Sequence, residues 1–190
     1  KTVLSSESLL VKLLKRAKAI ASEGGDLYAT PALKFFLRNN IGPADLGSDG
    51  LFTPGIVAFH FTRLDDSDIY SSAKYWVDNS DKILSDLSGR LMKRDLYAVE
   101  LQNDPFQEDR LADLSGHACR NLKIDREMAD YYVFTGTISN LTYEPEGPHV
   151  HILLKDGKTR DITSVSDIFD HRLLSGRNTK YFLCYPKECR

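Results

Sequence analysis

Hydrophobic and polar positions follow two different periods along the chain, and the change falls at Arg94. Before it, apolar residues recur at helical spacing. Val3, Leu10, Leu14 and Ala17 fall near one face and Leu9, Leu13 and Ile20 widen it, with Lys12, Lys15, Arg16 and Lys18 over the rest. This predicts an amphipathic helix to about Ala21, stopped by Gly24-Gly25, with a stripe wide enough to need a further helix. Thr30-Pro31 places a hydroxyl cap before a proline at the first helical position and predicts a short helix to about Arg38. The Gly-, Asn- and Asp-rich run from Asn39 to Phe52 reads as a loop. Asp65, Asp66 and Asp68 precede a helix near Ser67 to Val77, where carboxylates cap the first turn and complement the helix dipole. Asn79 or Ser80 then caps a helix whose apolar stripe is Ile83, Leu84, Leu87 and Leu91.

After Arg94 the pattern becomes that of strands. Leu96 to Leu101 reads as a strand, and Pro105 to about Leu122 as a helix with Leu111, Leu114, Ala118 and Leu122 inward. Tyr131 to Ile138 is aromatic and β-branched, while Val150, Ile152 and Leu154 alternate with polar neighbours over His149 to Leu154. Both predict strands, the second with one buried face. Glu144-Pro145-Glu146-Gly147-Pro148 can continue neither a helix nor a central strand. Asp156-Gly157 supplies the positive-φ positions of a hairpin, with Lys158 to Ile162 returning. Ser164 or Ser166 caps a helix to Leu174, and Tyr181 to Tyr185 is a closing strand stopped by Pro186. The expected class is α+β: a helical region over residues 1–93, then a ferredoxin-like βαββαβ sandwich over 94–190 whose central strands lie in 129–162.

Composition narrows the partners. Hydrophobic content of 42%, 27% charged residues and a net charge of −2 over 190 residues favour neither nucleic acid nor a membrane surface. No apolar run approaches the roughly 18 residues that span a bilayer. Cys119, Cys184 and Cys189 are odd in number and lack C-x-x-C spacing, which points to reduced thiols and a cytoplasmic location. A chain that opens at Lys1, without Met, directly into a helical pattern reads as part of a longer protein.

Candidate chemistry is sparse. There is no phosphate-binding glycine loop, no G-x-S-x-G and no H-E-x-x-H. His149 and His151, two apart on a strand, share a face and could chelate a metal, but no third ligand is evident. His60 lies in an aromatic run and reads as packed; His117 and His171 read as surface residues. Asp65, Asp66 and Asp68 lack the spacing of a calcium loop, and Cys184 reads as a buried, inert thiol.

Extended segments carry a resemblance. The opening Lys1-Thr2-Val3 with SESLLVKLLKRAKAIA, then FTRLDDSDI and KRDLYAVEL, resembles the C-terminal half of HD-domain phosphohydrolases of the deoxynucleotide triphosphohydrolase type. YYVFTGTISNLTYEPEGPHVHILLKDGKTRDI and the closing KYFLCYPKE resemble the α+β tail of bacterial members. The resemblance implies a parent enzyme with a divalent metal held by a His, a His-Asp pair and a distant Asp. No His-Asp dipeptide occurs here, and Asp170-His171 is reversed. It therefore implies a region with no catalytic residues, no metal and no cofactor of its own, partnered by an HD domain of the same polypeptide. It further implies a homo-oligomer with activator nucleotides between subunits, contacted by Lys1, Arg94 and Lys155. A further lysine expected four residues after Arg94 is replaced by Ala98. Taken alone, each of the three cations reads more readily as solvated surface.

Two other classes share the element order. An RNA-recognition module would stack bases on aromatics of its central strands, which HVHILLK lacks. A small-molecule sensor domain would bind its ligand between paired copies. Element order alone does not choose among them.

Overall fold

The computed structural model describes residues 1–42, 45–46, 52–139, 151–161 and 179–190. Helices α1 (Thr2–Ser22), α2 (Pro31–Arg38), α3 (Pro54–Phe61), α4 (Asp66–Trp76) and α5 (Lys82–Lys93) come first. Strand β1 (Ala98–Gln102) and helix α6 (Glu108–Leu122) follow, then a 3-10 segment (Arg126–Tyr131) and strands β2 (Phe134–Ser139), β3 (His151–Leu153), β4 (Thr159–Asp161) and β5 (Thr179–Tyr185). A 3-10 turn (Lys187–Cys189) ends the chain. The fold is α+β.

Caps account for several helix starts. Thr30 Oγ1 accepts the Leu33 N–H at 3.5 Å ahead of Pro31, as the Thr-Pro pair predicts. Asp65 Oδ1 accepts from Ser67 and Asp68 N–H, and Asp68 Oδ2 accepts the Asp65 N–H at 2.8 Å. This reciprocal box is what the acidic run does. The cap of α5 is Asp81, whose Oδ1 accepts the Leu84 N–H at 2.8 Å, and not Asn79 or Ser80; Asn79 Oδ1 instead accepts the Asp81 N–H. Helix α3 follows the expected Asn39–Phe52 loop region and was not predicted; Thr53 and Pro54 start it in the same way as α2.

Two compact units are present: residues Lys1–Val99, Glu108–Phe134 and Cys184–Arg190, and residues Glu100–Gln107 and Thr135–Leu183. The first unit therefore includes α6 and the C-terminal segment as well as the helices before Arg94. Its core is α1 against α5 and α2, where Leu9, Leu13, Ala17, Leu84 and Leu87 have no exposed surface. The helices that cover the α1 stripe within this unit are α5 and α2. Leu9 and Leu13 are fully buried within the unit, each worth roughly 1.5–3 kcal/mol, and Leu10 and Leu14 are half-buried. Trp76 Nε1 donates to Tyr28 O at 2.9 Å, and Ser5 Oγ to Tyr97 O at 2.9 Å.

The strand order departs from the ferredoxin-like arrangement. Among the described residues β1, β5 and β2 form one sheet in that order, so the last strand lies between the first and second, and β3 pairs with β4 in a separate two-stranded sheet. That hairpin is antiparallel, with Ile152 opposite Arg160. Over the described part of the expected strand, His151–Leu153, the alternation holds: Leu153 faces outward and Ile152 is half-buried, while His149 and Val150 lie outside the described residues. Alternation specifies a face but names no partner strand, and so the placement of this hairpin in the central sheet was not secured by it. Tyr131 ends a 3-10 segment instead of opening a strand, since Tyr132 and Val133 N–H both bond to Ala129 O. The helix expected from Ser164 or Ser166 lies outside the described residues.

Candidate functional site

In the first unit, the turn from α5 into β1 displays Arg94. Its backbone is left-handed, with φ 56°. Arg94 N–H bonds to Leu91 O at 3.3 Å and Asp95 N–H to Arg90 O at 2.9 Å, closing the helix in the double-bonded manner that usually takes glycine. Its guanidinium has no carboxylate partner among the described residues. It lines a groove of about 480 Å³ together with Thr2 and Ser6 of α1 and Tyr70 of α4. Leu91, Met92 and Leu96 supply the apolar lining. Lys1 is exposed and directly precedes Thr2.

The turn that carries Arg94 is held by Arg90, whose side chain is only 8% exposed. Arg90 pairs with Asp86 at 2.7 Å, with Asp95 at 3.3 Å and with Glu188. Lys187 Nζ reaches Asp95 at 3.3 Å, and Asn121 Nδ2 donates to Glu188 O at 2.7 Å. Burial alone would raise the Glu188 carboxyl, but the Arg90 guanidinium outweighs it and holds it below the usual value. Arg16 and Asp81 form a second pair at 2.5 Å, and that hydrogen bond lowers the Asp81 carboxyl. These groups are scaffold: each has a partner within the fold.

Lys155 stands apart, in the second unit, exposed at the β3–β4 turn. Leu154 N–H bonds to Lys158 O at 2.8 Å, and Gly157 (φ 78°) makes the turn expected of Asp156-Gly157. Ala98 is the first residue of β1.

The other candidates are structural. His60 stacks on Phe35 at 4.1 Å and is packed, and His117 is exposed on α6. His149 and His171 lie outside the described residues, so the His149–His151 pair is not described. Burial pushes the Cys184 thiol up to about 11, which keeps it protonated at neutral pH. Lys12 lies over the Phe134 ring at 4.3 Å and donates to Asp130 O, and burial lowers its ammonium. Among the described residues no three His, Cys, Asp or Glu side chains are placed to hold a metal ion. The divalent metal implied by the resemblance does not fit the described part of this chain. Sequence reasoning missed Tyr70, since a lone exposed aromatic on a helix carries no pattern.

A crystal structure of a phosphohydrolase, BT4208, from Bacteroides thetaiotaomicron VPI-5482 is 36% identical, with a TM-score of 0.77, over 97% of this chain and 45% of that one. This is a phosphohydrolase-like fold. An uncharacterized Bacillus subtilis (strain 168) protein, YwfO, is 27% identical over 192 aligned positions, covering 97% of this chain and 40% of that protein. The chain thus spans less than half the length of the relatives it matches. No family model matches it. No helix among the described residues is long and apolar enough to cross a membrane.

Proposed function

We propose that this chain is the regulatory and assembly region of a metal-dependent, HD-domain (deoxy)nucleotide phosphohydrolase, and that it does not itself catalyse. The observation that carries this reading is the 36% identity to a phosphohydrolase across 97% of the chain, which spans 45% of that protein. The divalent metal and the chemistry belong to an HD domain of the same polypeptide. Subunits associate as a homo-oligomer, and nucleotides are bound by Lys1 and Arg94 of the first unit and by Lys155 of the second. The Arg94 groove supports the nucleotide part: a guanidinium without a carboxylate partner offers a planar fork to a phosphate. The cytoplasm is the compartment we assign, on three unpaired thiols.

Phosphate release from dGTP, dATP and para-nitrophenyl phosphate with Mn²⁺, Mg²⁺ or Co²⁺ tests the catalytic half. The expected result is none from this chain. Metal-dependent turnover that stays with the chain through successive columns overturns the reading. Amide shifts on titration with GTP or dATP at low ionic strength test the binding half, with changes expected at residue 94.

A further inference from the structure

Accepting that Arg94 takes the phosphates of a nucleotide, we infer that Arg90 and Glu188 are positioning residues for that site, coupling phosphate binding at Arg94 to the order of the 3-10 turn Lys187–Cys189. Neither residue lines the Arg94 groove. The coupling runs through Asp95, the chain neighbour of Arg94. Arg90 O accepts the Asp95 N–H at 2.9 Å, and the Arg90 guanidinium reaches Asp95 Oδ2 at 3.3 Å. The same guanidinium donates to Asp86 Oδ2 at 2.7 Å and to Glu188 Oε1. Lys187 Nζ takes the other Asp95 oxygen at 3.3 Å. The 3-10 turn is itself anchored: Asn121 Nδ2 of α6 donates to Glu188 O at 2.7 Å, and Cys189 is buried.

This arrangement acts on Arg94 in two ways. Its backbone, at φ 56°, is strained for a non-glycine residue, and such a conformation persists where the surroundings impose it. Arg90 and Lys187 supply that constraint by holding the next residue from two elements. Asp95 is also a carboxylate one residue away from a phosphate counter-charge. With one oxygen on Arg90 and the other on Lys187, it neither draws the Arg94 guanidinium nor repels the ligand. Cluster and ligand keep to opposite sides of the turn. Arg90, Lys93 and Asp95 line one groove, of about 460 Å³, while Leu91, Met92, Arg94 and Leu96 line the other. The Asp86, Asp95 and Glu188 side chains are 39–50% exposed, so the latch can open to water in a folded chain. Coupling of this kind is reciprocal: a turn that favours phosphate binding is steadied by it in return.

The test uses the full chain at low ionic strength, well below its melting temperature, with GTP and inorganic tripolyphosphate as ligands. Light scattering checks that all variants share one assembly state, since the implied nucleotide lies between subunits. Glu188→Gln keeps the shape and removes the charge. It is expected to weaken both ligands by about fivefold or more, the lower end of coupling between sites. Glu188→Asp, which keeps the charge, stays closer to wild type. In the Arg94→Ala chain, already weakened, Glu188→Gln gives no further loss, a result that a merely destabilised fold does not produce. In wild type, saturating tripolyphosphate slows amide exchange at Cys189, whose N–H bonds to Pro186 O at 2.9 Å. Wild-type affinity in Glu188→Gln, or Cys189 exchange indifferent to ligand, overturns the coupling and leaves the nucleotide site standing. Equal losses in the wild-type and Arg94→Ala backgrounds overturn it too, because they place the effect outside Arg94. Failure of wild type to bind either ligand overturns the nucleotide reading together with this one.

Discussion

Arg90 and Glu188, 98 residues apart in the chain, form an ion pair that ties the end of α5 to the C-terminal 3-10 turn. Because Arg90 also binds Asp86 and Asp95, one guanidinium fixes both faces of the turn that displays Arg94. A buried cation with three acidic partners is costly to break and contributes little when intact.

Arg90→Met should therefore destabilise the first unit. Removing one member of a fully buried pair costs about 3–5 kcal/mol. Here Asp86, Asp95 and Glu188 remain 39–50% exposed and can rehydrate, so the expected loss is about 1–3 kcal/mol. Urea denaturation checks it. A midpoint unchanged from wild type would mean that the cluster does not support the fold.

The same pairs set an acid limb. The Asp81 carboxyl is lowered by Arg16 and that of Glu188 by Arg90 against the effect of burial, relative to ordinary values of 3.8 and 4.5. A carboxyl lowered by folding contributes stability that is complete above its unfolded value and is lost as pH falls through the folded one. Stability should hold from neutral pH to about 5 and decline below about 4. Asp81→Asn and Glu188→Gln should each lower the plateau and flatten the decline in urea midpoints measured from pH 7 to pH 3.

Leu9→Ala and Leu13→Ala test where the α1 stripe is buried. Both side chains are fully enclosed, so each should cost about 2–5 kcal/mol. Leu10→Ala and Leu14→Ala, at half-buried positions, should cost less. Equal, small losses for all four would show that the burial of Leu9 and Leu13 does not support the fold.

Gly136 on β2 meets the ring of Phe182: a Cβ there would lie 2.4 Å from Cζ and 2.6 Å from Cε1. Gly136→Ala should destabilise by roughly 1–3 kcal/mol through overpacking. Phe182→Leu in the same chain should recover part of the loss. Thermal melts of the single and double variants decide it, and simple additivity would show that the two residues do not compete for space.

What was legible in the sequence were features with a local cause. Thr30-Pro31 and the Asp65–Asp68 box start helices by hydrogen bonds within one turn, and Asp156-Gly157 turns the chain by backbone conformation alone. Thr53-Pro54 carries the same signal as Thr30-Pro31 and was hidden by the glycine-rich run before it. Partners distant in sequence were not legible. Arg90 reads as one more cation on a helix until the fold brings Glu188 to it. The alternation of β3 says which face is buried and Asp156-Gly157 supplies its hairpin partner β4, but neither says which sheet the hairpin joins. Arg94 was named through the family resemblance, at the end of the helical period, and Tyr70 was not, because the groove joins α1, α4 and the α5–β1 turn.

Arg94 itself separates stability from binding. At φ 56° it occupies a conformation that costs a non-glycine residue about 1–2 kcal/mol, and glycine carries no such penalty. Against this, glycine makes the unfolded chain freer by about 0.4–1 kcal/mol. The two together leave Arg94→Gly neutral to about 1 kcal/mol more stable than wild type. If the guanidinium is kept for a phosphate, the same variant should lose affinity for GTP, ATP and tripolyphosphate while its melting temperature holds or rises. This is the exchange of stability for function expected at a strained site. Arg94→Ala provides the comparison, since alanine keeps the strain and loses the charge, and should bind as poorly as Arg94→Gly while melting no higher than wild type. A chain in which Arg94→Gly melts well below wild type would show that the arginine side chain is needed for folding, and the binding role would lose its support.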